Sequence, residues 1–216
     1  MARAIRKSSH SRRIIGGVLF FLLGGTAAAG LSLARQPQAA AAAKVAAPAP
    51  PADRIAVPEA SVREAIEQGL IDRPIKSILN VPTSMHYGDY RWNDAGVPEG
   101  PTWIRVDLKA QTISVFRAGH EIGTAVILYG ADGMATPTGK FPILAKIKDH
   151  HSATYDAPMP YTLRLTADGV AIHASDVRWG RATHGCVGVP MTFAAKLFEA
   201  SSRGETVLIV DSAKHA

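Results

Sequence analysis

The chain has 216 residues, a formal net charge of +6 and a pI near 9.6, values that by themselves would suit a nucleic-acid partner. Six of its 24 basic residues (Arg3, Arg6, Lys7, Arg12, Arg13 and Arg35) fall within residues 1–35, where there is no acid. The remaining 18 are balanced by 18 acidic residues, so no basic surface is left for a phosphate backbone, and a nucleic-acid partner is excluded.

The first element is apolar. Ile14–Ala34 is a run of 21 residues without a charge, preceded by the pair Arg12-Arg13. At about 1.5 Å per residue, a helix of this length just crosses a hydrocarbon core of about 30 Å. Positive charge before the run predicts a cytoplasmic N-terminus and an exported remainder, in the periplasm or cell envelope. Residues 1–35 are therefore read as a signal peptide or an inner-membrane anchor. Ser32-Leu33-Ala34 would serve a cleavage site, but the run exceeds a usual signal core, which favours the anchor. Residues 36–57 are an Ala/Pro-rich linker, because Pro48, Pro50 and Pro51 break any helix in Ala39–Ala52.

Residues 58–101 read as a helical and loop lead-in. EASVREAIEQGL places Val62, Ala65, Ile66 and Leu70 on one helical face, with Ser61 and Glu64 at capping-box spacing and Gly69 at the stop. Loop-like sequence follows to Pro101. Residues 102–212 change period. TWIRVDL and TISVFR alternate around KAQ, which predicts a hairpin over Thr102–Arg117. Further strands are expected at HEIGTAVILY, FPILAKIK, YTLRLT, GVAIHA and TVLIVD. Phe193, Ala194, Leu197, Phe198 and Ser201 follow helical spacing, with Gly204 as the expected close. The class is mostly β: a sandwich or barrel with one late helix.

The chemistry concentrates in THGCVGVP, Thr183–Pro190, which holds the only cysteine. A free thiol is mostly protonated at neutral pH, and a histidine able to take its proton makes it a nucleophile. His173, at the end of GVAIHA, is expected to leave the core there, and His184 stands two residues before Cys186. Gly185 and Gly188 remove side chains beside the sulfur, leaving backbone N–H groups open to a substrate oxygen. Other readings compete. A lone cysteine is often an inert buried hydrophobe, although an unpaired thiol in an exported domain is open to oxidation unless it has a use. His173, His184 and Cys186 could also be three zinc ligands, but no usual zinc spacing is present, so no metal or cofactor is expected. His150 and His151 sit in a polar DHHS loop and are expected at the surface.

IHASDVRWGRATHGCVGVP resembles the signature of L,D-transpeptidase (YkuD-type) catalytic domains: a histidine at a strand end, a loop, then Ser/Thr-His-Gly-Cys. TPTGKF, MPYTLRL and RGETVLIVD agree with it, and the resemblance covers about Thr102–Asp211. It implies an L,D-transpeptidase-like fold in which Cys186 is the acylated nucleophile and His173 the general base. It further implies that His184, Thr183 and Gly185 shape the site, and that Met159 and Tyr161 from MPYTLRL face the substrate or oxyanion. The activity it implies is acyl transfer on peptidoglycan stem peptides through a thioester. Water as acceptor would instead make a carboxypeptidase or endopeptidase, and a non-catalytic wall-binding module would not need the thiol. This chain departs twice from the pattern. Its loop, Ala174–Ala182, is shorter than the family's usual one, and Gly188 stands where many members carry arginine or asparagine.

Overall fold

The hairpin expected over Thr102–Arg117 forms the centre of the main sheet. In the computed structural model, which describes residues 53–131 and 133–215, β4 (Thr102–Asp107) pairs antiparallel with β5 (Thr112–Arg117). The N-terminal apolar run and most of the linker lie outside the described residues. Among the described residues, no helix is long and apolar enough to cross a membrane.

Before the hairpin come β1 (Arg54–Ala56), α1 (Glu59–Glu67), β2 (Ser77–Leu79) and β3 (Tyr90–Trp92). After it come β6 (His120–Val126), β7 (Gly139–Pro142), β8 (Ala145–Ile147), β9 (His151–Ser152) and β10 (Ala157–Pro158). The chain ends with β11 (Thr162–Arg164), β12 (Ala171–Ala174), β13 (Val187–Val189), α2 (Met191–Ala200) and β14 (Thr206–Val210). The large sheet has the order β1-β2-β6-β5-β4-β14-β7, with β3 also on β6; a smaller sheet runs β13-β12-β11-β8. Ile104, Val106, Ile113, Val115, Ile122, Val207 and Ile209 of the first sheet share one core with Leu163, Ile172, Val187 and Val189 of the second. Phe193, Ala194 and Leu197 of α2 join it, at the helical spacing expected. Among the described residues the fold is mostly β, with two α-helices and a short 3-10 turn at Ser212–His215.

The alternation in β4 sorts two apolar environments. Ile104 and Val106 enter the shared core, while Trp103 stacks on Phe116 across the hairpin at 4.5 Å on the opposite face. Val62 of α1 and Ile71 cover that second face. The lead-in is therefore part of the same folded unit.

Several boundaries differ from expectation. Three strands lie in the range read as linker end and loop. β1 docks because the buried Arg54 donates from Nε to the Glu121 carbonyl, and β2 because Leu79 N–H donates to the buried Glu121 carboxylate. The Ser61 capping box does not form. Helix α1 starts at Glu59, directly after Pro58, whose ring fixes φ at −59°, and Ser61 lies inside the first turn. Ile66 is 40% exposed. The helix stops as expected: Gly69 is left-handed, and the N–H groups of Gly69 and Leu70 donate to the Ile66 and Ala65 carbonyls. FPILAKIK is two strands in different sheets, β7 on β14 and β8 on β11, because the chain crosses between them at Ile143–Leu144. Helix α2 ends at an extended Ser201, ahead of Gly204.

Candidate active site

β12 and β13 lie side by side and parallel, with Ile172 opposite Val187 and His173 opposite Gly188. Ile172 and Val187 point into the core, so strand alternation turns His173 and Cys186 to the other face of neighbouring strands. Both line a cleft of about 450 Å³. The short chain separation anticipated this meeting; the parallel pairing achieves it.

The cysteine loop is held from below by the chain that follows β6. Leu128 bridges to Gly188 and Gly130 to Thr183, and Thr183 N–H donates to the Tyr129 carbonyl. Thr183 Oγ1 donates to the Cys186 carbonyl at 2.5 Å, which closes the turn over a left-handed Gly185 (φ +103°). Gly130 has no room for a side chain: a Cβ there would lie 1.9 Å from the Met134 carbonyl oxygen and 3.0 Å from Gly185 Cα. No acceptor among the described residues takes the N–H of Gly185 or Cys186.

His173 leaves the core face as expected, but it does not reach open solvent. It is only 9% exposed, because the segment from Ser152 to Met159 forms the opposite wall of the cleft. Its Nδ1 lies 2.8 Å from the Ala174 carbonyl oxygen. A carbonyl can only accept, so Nδ1 carries the proton and Nε2 is left free as a base. Burial holds the imidazole pKa below the usual histidine range, the Ala174 contact opposes this, and His150 adds to the lowering. Burial likewise pushes the Cys186 thiol up, partly offset by the Ala171 N–H. The thiol donates to the Gly169 carbonyl at 3.8 Å and not to the imidazole. Both shifts favour a neutral thiol beside a neutral imidazole at rest, rather than an ion pair.

The other residues expected at the site separate. Thr183, His184 and Met159 line the cleft, and Gly185 lies buried behind it. His184 is exposed and stacks on Tyr155 with ring centroids 4.3 Å apart, as part of the rim. Tyr161 is placed elsewhere: it packs edge-to-face on Phe198 against the core, outside the cleft lining. The zinc arrangement of His173, His184 and Cys186 is not formed, since no group of three such ligands stands together among the described residues. His151 is exposed as expected, and His150 is half-buried.

Tyr155, Ser175 and Arg181 also line the cleft, and none was singled out by sequence. Tyr155 caps the β9–β10 turn, where a polar loop gives no sign of a wall. Arg181 stands two residues before Thr183, and that proximity to the motif was its one signal.

The sequence model of the L,D-transpeptidase catalytic domain (YkuD) matches residues 101–209. The chain belongs to this family. Among solved structures it is similar to an L,D-transpeptidase from Stackebrandtia nassauensis, at 28% identity over 53% of this chain and 57% of that one, with a TM-score of 0.47. A cysteine-to-serine variant of the Enterococcus faecium L,D-transpeptidase is similar at 27% identity, over 52% of this chain and 50% of that one, with a TM-score of 0.46. An L,D-transpeptidase from Mycobacterium tuberculosis is similar at 19% identity, over 51% and 57%, with a TM-score of 0.47. The chain thus spans between half and three-fifths of the length of these proteins. Comparison with curated proteins found no match. The L,D-transpeptidase domain begins at Pro101 by sequence, whereas its sheet recruits strands from residue 54 onward.

Proposed function

We propose that this protein is a cysteine acyltransferase acting on peptidoglycan stem peptides, with Cys186 as nucleophile and His173 as base. The observation that carries the reading is the parallel pairing of β12 and β13, which brings a base with a free Nε2 and the only thiol to one cleft in a chain of this family.

In the proposed sequence, a peptide carbonyl between an L-centre and a terminal D-residue enters above Cys186. The thiol proton passes to His173 Nε2 as sulfur bonds to the carbonyl carbon, so charge forms only when substrate is present. The N–H groups of Gly185 and Cys186 receive the oxyanion. The C–N bond then breaks, the imidazolium gives its proton to the departing amine, and a thioester remains. An acceptor amine loses a proton to His173, attacks the thioester and restores the thiol. Throughout, the Ala174 carbonyl holds the Nδ1 proton and keeps the ring oriented. The charged apolar leader, residues 1–35, supports export and inner-membrane anchoring of this domain, which reporters fused after Ala52 would test.

The decisive experiment incubates the chain from Asp53 onward with tetrapeptide-containing muropeptides and follows its mass. A transient acyl adduct on the peptide containing Cys186, insensitive to chelator and lost in Cys186→Ser, is expected. Carbapenems, acylating inhibitors by the family resemblance, should leave a longer-lived adduct. Added amine should divert product from hydrolysis to cross-link. Hydrolysis alone at every amine concentration would make the protein a peptidase, and absence of any adduct would sink the nucleophile.

A further inference from the structure

Besides its histidines, the cysteine cleft has two charged side chains in its lining, Asp176 and Arg181. They are not equivalent. Asp176 is ion-paired with Arg178 on the same loop. The Arg181 guanidinium makes no hydrogen bond or ion pair with any described residue. A cation without a partner, facing the cavity that holds the nucleophile, is suited to an anionic group on whatever binds there.

The loop presents this side chain from a restrained backbone. Arg181 N–H donates to the Arg178 carbonyl across a turn with left-handed Gly180 (φ +77°). Trp179 meets Tyr87 of the lead-in edge-to-face, with centroids 5.8 Å apart. On the other side, Thr183 is held by backbone hydrogen bonds to Tyr129 and Ala131. Arg181 and Ala182 also line a second cavity of about 310 Å³, so Arg181 stands where the two cavities adjoin.

Position 188 has no room to supply a polar side chain of its own. A side chain there would project beside His173 and Cys186, but a Cβ on Gly188 would stand 2.7 Å from Ser175 Oγ, 2.9 Å from Ser175 Cβ and 3.3 Å from Leu128 Cβ. The space is already filled. Any charged contact to a bound peptide would have to come from another segment, and Arg181 is the unengaged cation in the lining.

We infer that Arg181 binds a free carboxylate of the peptide that acylates Cys186, and so selects peptides in which the residue after the scissile bond is the C-terminal one. The inference rests on the acyl-transfer reading of the cleft. In such a peptide the carboxylate lies a few bonds beyond the attacked carbonyl, within the cleft that Arg181 and Cys186 both line. Two parallel N–H···O bonds would fix that end of the peptide while sulfur approaches the carbonyl.

The test compares a tetrapeptide ending in a carboxylate with its C-terminal amide, in wild type, Arg181→Ala and Arg181→Lys. Wild type should prefer the acid, and Arg181→Ala should raise KM for the acid roughly ten- to hundredfold, bringing the acid-to-amide ratio of kcat/KM close to one. Arg181→Lys should restore part of that ratio. A second readout needs no peptide: alkylation of Cys186 by anionic iodoacetate should slow severalfold in Arg181→Ala relative to neutral iodoacetamide, and the contrast should shrink with added salt. An unchanged acid-to-amide ratio in Arg181→Ala, or equal effects on the two alkylating agents, would overturn the inference. If no peptide acylates Cys186 while the alkylation contrast persists, the acyl-transfer reading fails and the anion site stands. If peptides acylate but acid and amide are never distinguished, the reverse holds.

Discussion

Ser175 occupies the space that a side chain at position 188 would need, with its Oγ 2.7 Å and its Cβ 2.9 Å from where a Gly188 Cβ would be. The same serine oxygen lies 3.4 Å from His173 Nδ1, so it packs against both the glycine and the imidazole. Gly188→Ala should therefore destabilise the domain by about 1–3 kcal/mol through overpacking. Ser175→Gly combined with Gly188→Ala should recover part of that loss. Denaturant midpoints of the two single variants and the double variant measure it, and strictly additive effects would show that the two residues do not compete for the space.

The pH dependence of acylation should carry a limb from His173. The imidazole acts as a base only when neutral, and burial holds its pKa below the ordinary histidine range. Acylation should therefore persist through mildly acidic pH and fall only below the ordinary histidine pKa. His173→Ala should lower the rate by roughly a hundredfold or more and abolish that limb. The sign for stability follows from the same shift. Protonation favours the unfolded chain, so the contribution of His173 is lost as pH falls from the unfolded-state pKa toward the folded-state one. A limb that survives His173→Ala would assign it to another group.

Because the thiol is pushed up and donates to Gly169 instead of to the imidazole, resting Cys186 should alkylate slowly at neutral pH. Its iodoacetamide rate should keep rising into the alkaline range, with no plateau below neutrality. A plateau at acidic pH would reveal a resting thiolate–imidazolium pair and contradict the neutral arrangement.

Tyr155 and His184 stack at the rim, and such a pair is worth about 0.5–1.5 kcal/mol beyond its burial. Tyr155→Ala and His184→Ala should each raise KM several-fold, and the double variant should be little worse than either single one. Neither should move the pH profile of Cys186 alkylation. A shifted thiol profile in His184→Ala would make that imidazole part of the proton transfer.

A chain beginning at Pro101, where the family match starts, should not fold well. Removing residues 53–100 strips Val62 and Ile71 from the Trp103–Phe116 stack and takes β2 and β3 from β6. Within the longer chain, Trp103→Ala should cost about 3–5 kcal/mol. Soluble yield and cooperative unfolding test both; a stable, cooperative short chain would show the lead-in to be dispensable.

Local sequence was sufficient for whatever depends on neighbouring residues. Alternation in TWIRVDL and TISVFR specified a hairpin, and the spacing of Phe193, Ala194 and Leu197 specified the buried face of α2, because each pattern matches one backbone period. The meeting of Cys186 with His173 was legible for a similar reason: GVAIHA and THGCVGV are close enough in the chain for a short loop to let them pair. Partners far away in the chain left no such trace. The strands at 54–56, 77–79 and 90–92 have three residues each, too few for a period, and two of them exist because β6 offers hydrogen-bonding edges that only the folded sheet provides. The burial of His173, the displacement of Tyr161 onto Phe198 and the stacking of Tyr155 on His184 were decided at the same level. A sequence pattern states which face of a segment is apolar; which distant segment covers the other face, and so which charge is desolvated there, is settled only when the sheets close on their common core.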